Sequence, residues 1–146
     1  SLSTLCSEVV EYYEAVFLEA GLNCIIQGDA SGSFDGALLR RAVSNLLNNA
    51  VRHAQSKSVI NINIKSDKEG GAHISVINIG APIPEESLPH IFDRFYRIDT
   101  SRISSSQNHG LGLAIVSAIA RMHGGDTTAS CANGATTIGI YVRSGA

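Results

Sequence analysis

The sequence predicts an α+β fold: a two-layer sandwich in which three helices cover one face of a mixed sheet of about five strands. Helical and strand-like periodicities are interleaved along the chain, neither segregated nor strictly alternating. Two pairs of apolar-rich stretches are each joined by a short glycine-containing turn, which places antiparallel hairpins in the sheet. The length of 146 residues, 44% of them hydrophobic, is enough for one real core and too short for two comfortable ones.

The elements follow in order. Residues 4 to 20, TLCSEVVEYYEAVFLEA, place Leu5, Val9, Tyr12, Val16 and Ala20 at helical spacing, and Gly21 is positioned to end the helix. A short strand, LNCII, is expected at 22 to 26, followed by the turn-rich GDASGSF. Asp35 is placed to cap a long helix running to about His53. Strands are expected around 58 to 65 (SVININIK) and 72 to 79 (AHISVINI), joined as a hairpin by DKEGG. Residues 80 to 109 read as mostly irregular, with a short helical piece through Phe92 to Tyr96. The polar run DTSRISSSQNH, 99 to 109, offers almost nothing to bury and is expected to be a mobile surface segment. A helix over about 110 to 122 sets Leu111, Ile115, Ile119 and Met122 on one face. Two closing strands, near 126 to 131 and 135 to 142, bend back around Asn133-Gly134. With no internal repeat and no domain-boundary linker, residues 1–146 read as a single domain.

Composition removes several function classes. The formal net charge is -2 and the 11 basic residues form no long run, so nucleic-acid binding through a basic surface is not expected. Apolar stretches are broken well short of the roughly 20 residues a membrane helix needs. No signal peptide is visible, and the abrupt start at Ser1 reads as a fragment of something longer. Cys6, Cys24 and Cys131 are far apart and form no CxxC pair, which argues against a disulfide framework or zinc knuckle. They read as small apolar residues in a reducing compartment.

The chemistry concentrates in a few places. In the helix LLRRAVSNLLNNAVRHA, 38 to 54, Leu39, Val43, Leu46, Leu47 and Ala50 form a core-facing stripe. Arg41, Asn45, Asn49 and Arg52 recur on the opposite side. Asn is a poor helix former, so two of them one turn apart point to a ligand. An amide oxygen suits Mg²⁺, with Arg52 and His53 beside the same phosphates; a plain polar surface is the alternative. In HISVINIGAPIP, 73 to 84, Asn78 falls on the parity of Ile74 and Val76. An amide aimed at the core must find a partner, either a purine amine or a neighbouring backbone group. Gly80 behind it would let a flat base approach the backbone closely. FDRFYRIDTSR, 92 to 102, supplies Arg94, Arg97 and Arg102, with Phe92 and Phe95 as anchors. NHGLGLAIV, 108 to 116, sets two glycines at the mouth of a helix, where backbone N–H groups can face a phosphate.

The order NLLNNAVRH, NIGAPIP, FDRFYR, GLGLAIV and GATTIGIYV resembles the catalytic ATP-binding domain of the sensor histidine kinases, from about residue 5 to residue 143. FDRFYRID, together with Asn in the adenine box, is most similar to the heavy-metal (copper and silver) sensor subgroup. The resemblance implies the Bergerat-type ATP-binding fold shared with the gyrase, heat-shock-90 and mismatch-repair ATPases. It implies that ATP and Mg²⁺ are bound and that the γ-phosphoryl group passes to a histidine on a separate dimerisation domain absent from this chain. By the same resemblance Asn49 is the Mg²⁺ ligand and Asn45 its companion. Arg52 and His53 approach phosphate and ribose, Asn78 and Gly80 belong to the adenine box, and Arg97 and Arg102 are lid arginines. Gly110 and Gly112 face the phosphate chain, and Ile83, His109, Leu111, Leu113 and Thr137 are further nucleotide contacts. Asn45, Asn49, Arg97 and Arg102 form the implied catalytic set. The implied context is a two-component system. In it the full-length protein is a membrane-bound homodimer in the bacterial inner membrane, this domain is cytoplasmic, and a response regulator lies downstream.

Three positions depart from that pattern: an amide, Asn78, replaces the adenine-reading carboxylate, Pro82 stands where a second glycine is usual, and Asn108 replaces the first glycine of its box. The hydrolysing relatives carry a Glu one turn before the Mg²⁺ asparagine; Asn45 cannot act as a general base, so transfer is expected rather than hydrolysis. His53, His73, His90, His109 and His123 all lack the acceptor context, and the isolated fragment is expected to show no autophosphorylation. The reading from another class is a degenerate, non-catalytic nucleotide-binding signalling module.

Overall fold

The computed structural model describes residues 1–94 and 112–145. Its strands are β1 (Asn23–Gly28), β2 (Val59–Ser66), β3 (Ala72–Ile79), β4 (Asp126–Ala132) and β5 (Ala135–Val142). They form one five-stranded sheet in the order β1-β2-β3-β5-β4. β1 runs parallel to β2, and every other neighbouring pair is antiparallel, so the sheet is mixed as expected. The parallel pair needs a long crossover, which the helix α3 (Gly36–His53) supplies, whereas DKEGG and Asn133-Gly134 close tight hairpins. The other helices among the described residues are α1 (Leu2–Tyr12), α2 (Glu14–Ala20) and α4 (Gly112–Met122).

The core lies between the sheet and the helices. Ile60, Ile62 and Ile64 of β2, Ile74 and Val76 of β3, and Ile138, Ile140 and Val142 of β5 alternate inward and are buried. They meet the stripe Leu39, Val43, Leu46, Leu47 and Ala50 of α3, all buried as the spacing predicts. Each such aliphatic side chain contributes about 1.5–3 kcal/mol on burial. Asp35 caps α3 by accepting the Leu38 N–H at 3.0 Å. α4 packs on α3 and on β4 and β5. His123, just past α4, joins the two helices: its Nδ1 donates to the Ile119 carbonyl at 2.9 Å, and its Nε2 accepts the Asp35 N–H at 3.2 Å.

Three elements differ from expectation. The single helix over residues 4 to 20 is broken at Tyr13, giving four α-helices among the described residues instead of three. The break resets the apolar phase: Leu5 and Val9 are buried, but Tyr12 is 84% and Val16 44% exposed, and Phe17 turns inward instead. Tyr13 holds the kink to α3 through a 2.5 Å contact between its hydroxyl and Ser44 Oγ. Gly21 does end α2, in the left-handed conformation at φ 69°. α4, described from Gly112 onward, buries Val116, Ser117, Ile119 and Ala120. Met122, expected on the buried face, is 68% exposed because α4 is rotated to face both α3 and the β4–β5 hairpin. A 3-10 helix at Glu85–His90, which begins after Pro84, lies in the stretch expected to be irregular, and the helical piece expected through Phe92 to Tyr96 runs beyond the described residues. The expected mobile segment, 99 to 109, lies outside the described residues.

Candidate functional site

The end of β3 carries Asn78 into the helix–sheet interface. Ile74, Val76 and Asn78 share one face of the strand, so the alternation that buries two aliphatic residues also buries an amide, 2% exposed. Its Nδ2 has no hydrogen-bond partner among the described residues. A buried donor left unpaired costs about 1–3 kcal/mol, so its position asks for a complementary ligand. Asn63 Oδ1 on β2 is also without a partner, but it lies on the other face of the sheet, between Gln27 and Ser75 in register.

Thr136 faces Asn78 across the β3–β5 ladder and is itself buried. Thr137, expected among the nucleotide contacts, does not share this place. Thr137 pairs with Ile77, on the outward-facing parity, while Thr136 shares the inward parity of Ile138 and Ile140. Alternation within ATTIGIYV carried enough information to choose between them. Cys131 is the other residue missed. The two-residue turn sets it opposite Thr136, with Cys131 Sγ 3.1 Å from Thr136 Oγ1. The same sulfur accepts the Ile83 N–H at 3.4 Å, which pins the turn after β3 against β4. Ile83 is buried there. Cys6 and Cys24 fit the apolar reading: burial pushes their thiols up to about 12 and about 11.

A β-carbon on Gly80 would lie 2.0 Å from the His53 carbonyl oxygen, so on that side the close approach is made by the protein's own backbone. Ala54 and Gly80 form an isolated antiparallel bridge, and the Gln55 N–H donates to the Ile79 carbonyl at 2.6 Å. The end of α3 is thereby fastened to the end of β3. This brings the residues after Asn49 to the strand that carries Asn78.

Along α3, Asn45 and Asn49 are half-buried on neighbouring turns, and Arg52 and Arg41 are exposed. Asn45 donates from Nδ2 to the Gly112 carbonyl at 3.3 Å, which ties α3 to the first residue of α4. A β-carbon on Gly112 would meet no described atom within 4 Å, so no described packing requires a glycine there. Leu113 is partly buried against the core. His53 is half-buried, and burial followed by the neighbouring Arg52 charge holds its imidazole below the usual histidine range. Arg97, Arg102, Asn108, His109, Gly110 and Leu111 lie outside the described residues.

The donor set fits a Mg²⁺–nucleotide complex in two respects. Asn49 offers one hard amide oxygen, which suits a metal that completes its shell with water and phosphate oxygens. The unpaired Asn78 Nδ2 offers a donor to the acceptor edge of a purine.

Comparison with known proteins agrees with this fold. The signature of the histidine kinase-, DNA gyrase B-, and HSP90-like ATPase family matches residues 34–145, and the chain belongs to that family. It is similar to the sensor protein CzcS of Cupriavidus metallidurans, 44% identical over 120 residues that make up 81% of this chain and 25% of that protein. It is also similar to the sensor histidine kinase CusS of Escherichia coli, 36% identical over 126 residues, 86% of this chain and 26% of that protein. The chain thus spans about a quarter of the length of these curated relatives. In structure it is similar to the catalytic domain of histidine kinase ThkA, with TM-score 0.83 and 25% identity over 97% of this chain and 91% of that one.

Proposed function

We propose that this domain binds Mg²⁺–ATP and donates the γ-phosphoryl group to a histidine on a separate dimerisation domain. The observation that carries the reading is the buried Asn78 amide, unpaired at Nδ2, at the end of a strand fastened to the Asn45–Asn49 helix. Family membership supports ATP as the nucleotide. Mg²⁺ held by Asn49 would offset phosphate charge. Asn78 reads the base edge, and Ile83 covers it. Arg52 and the lid arginines Arg97 and Arg102 neutralise the γ-phosphoryl oxygens, while the N–H groups at the start of α4 face the phosphate chain. As the bond between the γ-phosphorus and its bridging oxygen breaks, a bond to the incoming imidazole nitrogen forms. ADP leaves, and the imidazole proton passes to a base on the acceptor domain. Asn45 carries no base to activate water and is engaged with the Gly112 carbonyl, which favours transfer over hydrolysis.

The likeness to sensor proteins supports a wider context: a homodimeric sensor kinase of the bacterial inner membrane, with this domain on the cytoplasmic side and a response regulator downstream. Among the described residues no helix is long and apolar enough to cross a membrane. Isothermal titration with a non-hydrolysable ATP analogue, with and without Mg²⁺, tests the core of the reading. Binding that tightens with Mg²⁺ is expected. No binding in either condition overturns it, and Mg²⁺-independent binding without phosphotransfer to an added acceptor domain would favour the non-catalytic module.

A further inference from the structure

The Asn133-Gly134 turn brings Cys131 opposite Thr136, and Thr136 stands opposite Asn78, so the three residues form one row across β4, β5 and β3. All three lie on the parity facing the helices. Cys131 Sγ has two polar neighbours, the Thr136 hydroxyl at 3.1 Å and the Ile83 N–H at 3.4 Å. Cys131 is also partly exposed, so a small reagent can reach it. The independent mark of a ligand in the same row is Asn78, 98% buried by its 2% exposure, with Nδ2 unpaired among the described residues.

We propose that Cys131 is a covalent modification site for soft electrophiles in the wall of the nucleotide pocket, and that an adduct on its sulfur and a bound purine exclude each other. This rests on the nucleotide reading of the Asn78 site. The chemistry is thiol addition to an activated alkene. The sulfur forms a bond to one alkene carbon, the carbon–carbon π bond is consumed, and the thiol proton ends on the adjacent carbon. Nothing leaves, and no oxidant or reductant is required.

The geometry explains why an adduct would close the pocket. A substituted sulfur has no S–H left to donate to Thr136, and it adds bulk beside the Ile83 N–H. Ile83 is buried, so adduct bulk that turns inward from the exposed side of the sulfur either displaces the turn that follows β3 or extends along the row toward Asn78. Both routes take space or alignment from a base paired with the Asn78 amide. Cys6 and Cys24 act as internal controls. Burial pushes their thiols up to about 12 and about 11, which leaves little thiolate at neutral pH.

The test treats the whole 146-residue chain with N-ethylmaleimide near neutral pH and follows each cysteine by peptide mass mapping. Parallel samples contain a saturating non-hydrolysable ATP analogue with Mg²⁺. Cys131 should be labelled ahead of Cys6 and Cys24, and the analogue should slow its labelling by about tenfold when present at roughly ten times its dissociation constant. Singly labelled protein, with circular dichroism unchanged, should bind the analogue at least about tenfold more weakly, while binding by Cys131→Ser should be indifferent to the reagent. Full affinity after Cys131 labelling, labelling of Cys6 or Cys24 first, or loss of the fold on labelling each overturns the proposal. If unlabelled protein binds no nucleotide, the nucleotide reading itself falls, and the exclusion falls with it. If Cys131→Ser does not fold, the wild-type labelling arms decide the matter unaided.

Discussion

The His53 carbonyl oxygen lies 2.0 Å from where a β-carbon on residue 80 would stand. No real β-carbon tolerates that distance, and the obstacle is backbone, held by the Ala54–Gly80 bridge and by the hydrogen bond from the Gln55 N–H to the Ile79 carbonyl. Gly80→Ala must therefore push α3 away from the end of β3. We expect a loss of about 3 kcal/mol, read as a fall in Tm of roughly 10 °C for a domain of this size. An unchanged Tm would show that the contact between helix end and strand end is soft, and would remove the account of how Asn49 and Asn78 are held near one another.

Asn78 is expected to favour function at the expense of stability. Its amide is buried with Nδ2 unpaired among the described residues, and an aliphatic side chain of similar shape would carry no such penalty. Asn78→Leu should leave the nucleotide-free fold as stable as wild type or about 1 kcal/mol more stable, while nucleotide affinity drops by at least about tenfold. Urea denaturation and titration of the same variant check both halves. A large loss of stability would mean that the amide has a partner in the protein after all.

Much of this was legible in the sequence, and the failures have local causes. The α3 stripe, the Asp35 cap, the Gly21 stop and both hairpins each rest on a local pattern strong enough to decide the structure. The inward parity of Asn78 was readable for the same reason. The helix break at Tyr13 was not, because it depends on a contact with Ser44, 31 residues away. Gly80 was recognised as a point of close approach, but only the fold shows that the approaching group is His53. Thr137 is expected among the nucleotide contacts, yet strand parity sets Thr136 beside Asn78, in a strand whose two faces both carry a threonine. Cys131 looked inert because its polar neighbours, Thr136 and Ile83, come together only through the hairpin and the turn after β3.

The parity of the two threonines leads to a paired test. Thr136→Val removes a buried hydroxyl bonded to Cys131 Sγ and keeps the shape. Loss of one such hydrogen bond next to Asn78 should weaken nucleotide binding by about fivefold. Thr137→Val changes a side chain on the other face, in register with Ile77 and Ser130, and should leave affinity within error. The reverse ranking would restore Thr137 to the site.

Asn49→Ala separates metal from base recognition. Asn49 is half-buried and lies outside the core stripe, so alanine, the best helix former, should leave the fold intact. Affinity for the ATP analogue should then become the same with and without Mg²⁺, while Mg²⁺-free binding stays near the wild-type value. Preserved Mg²⁺ dependence would take Asn49 out of its proposed role.

His53 should make stability fall on mild acidification. Burial, and then the Arg52 charge, disfavours the imidazolium and lowers the folded-state pKa below the ordinary 6.5. Between the lowered value and 6.5 the unfolded chain binds more protons than the folded one, so stability rises with pH across that window. The contribution is fully present above about pH 6.5 and is lost as the pH falls through the folded value. Asp29 and Asp67 are held low chiefly by hydrogen bonds, from Ser3 and from Tyr141 respectively, and their contributions fade only below the ordinary 3.8. The two windows are therefore separable. In nucleotide-free protein the urea midpoint should drop between pH 7.5 and pH 5, and His53→Gln, which cannot protonate, should flatten that drop and leave the loss below pH 4 in place. An identical pH profile in the variant would move the acid sensitivity to another group and leave His53 without a role in it.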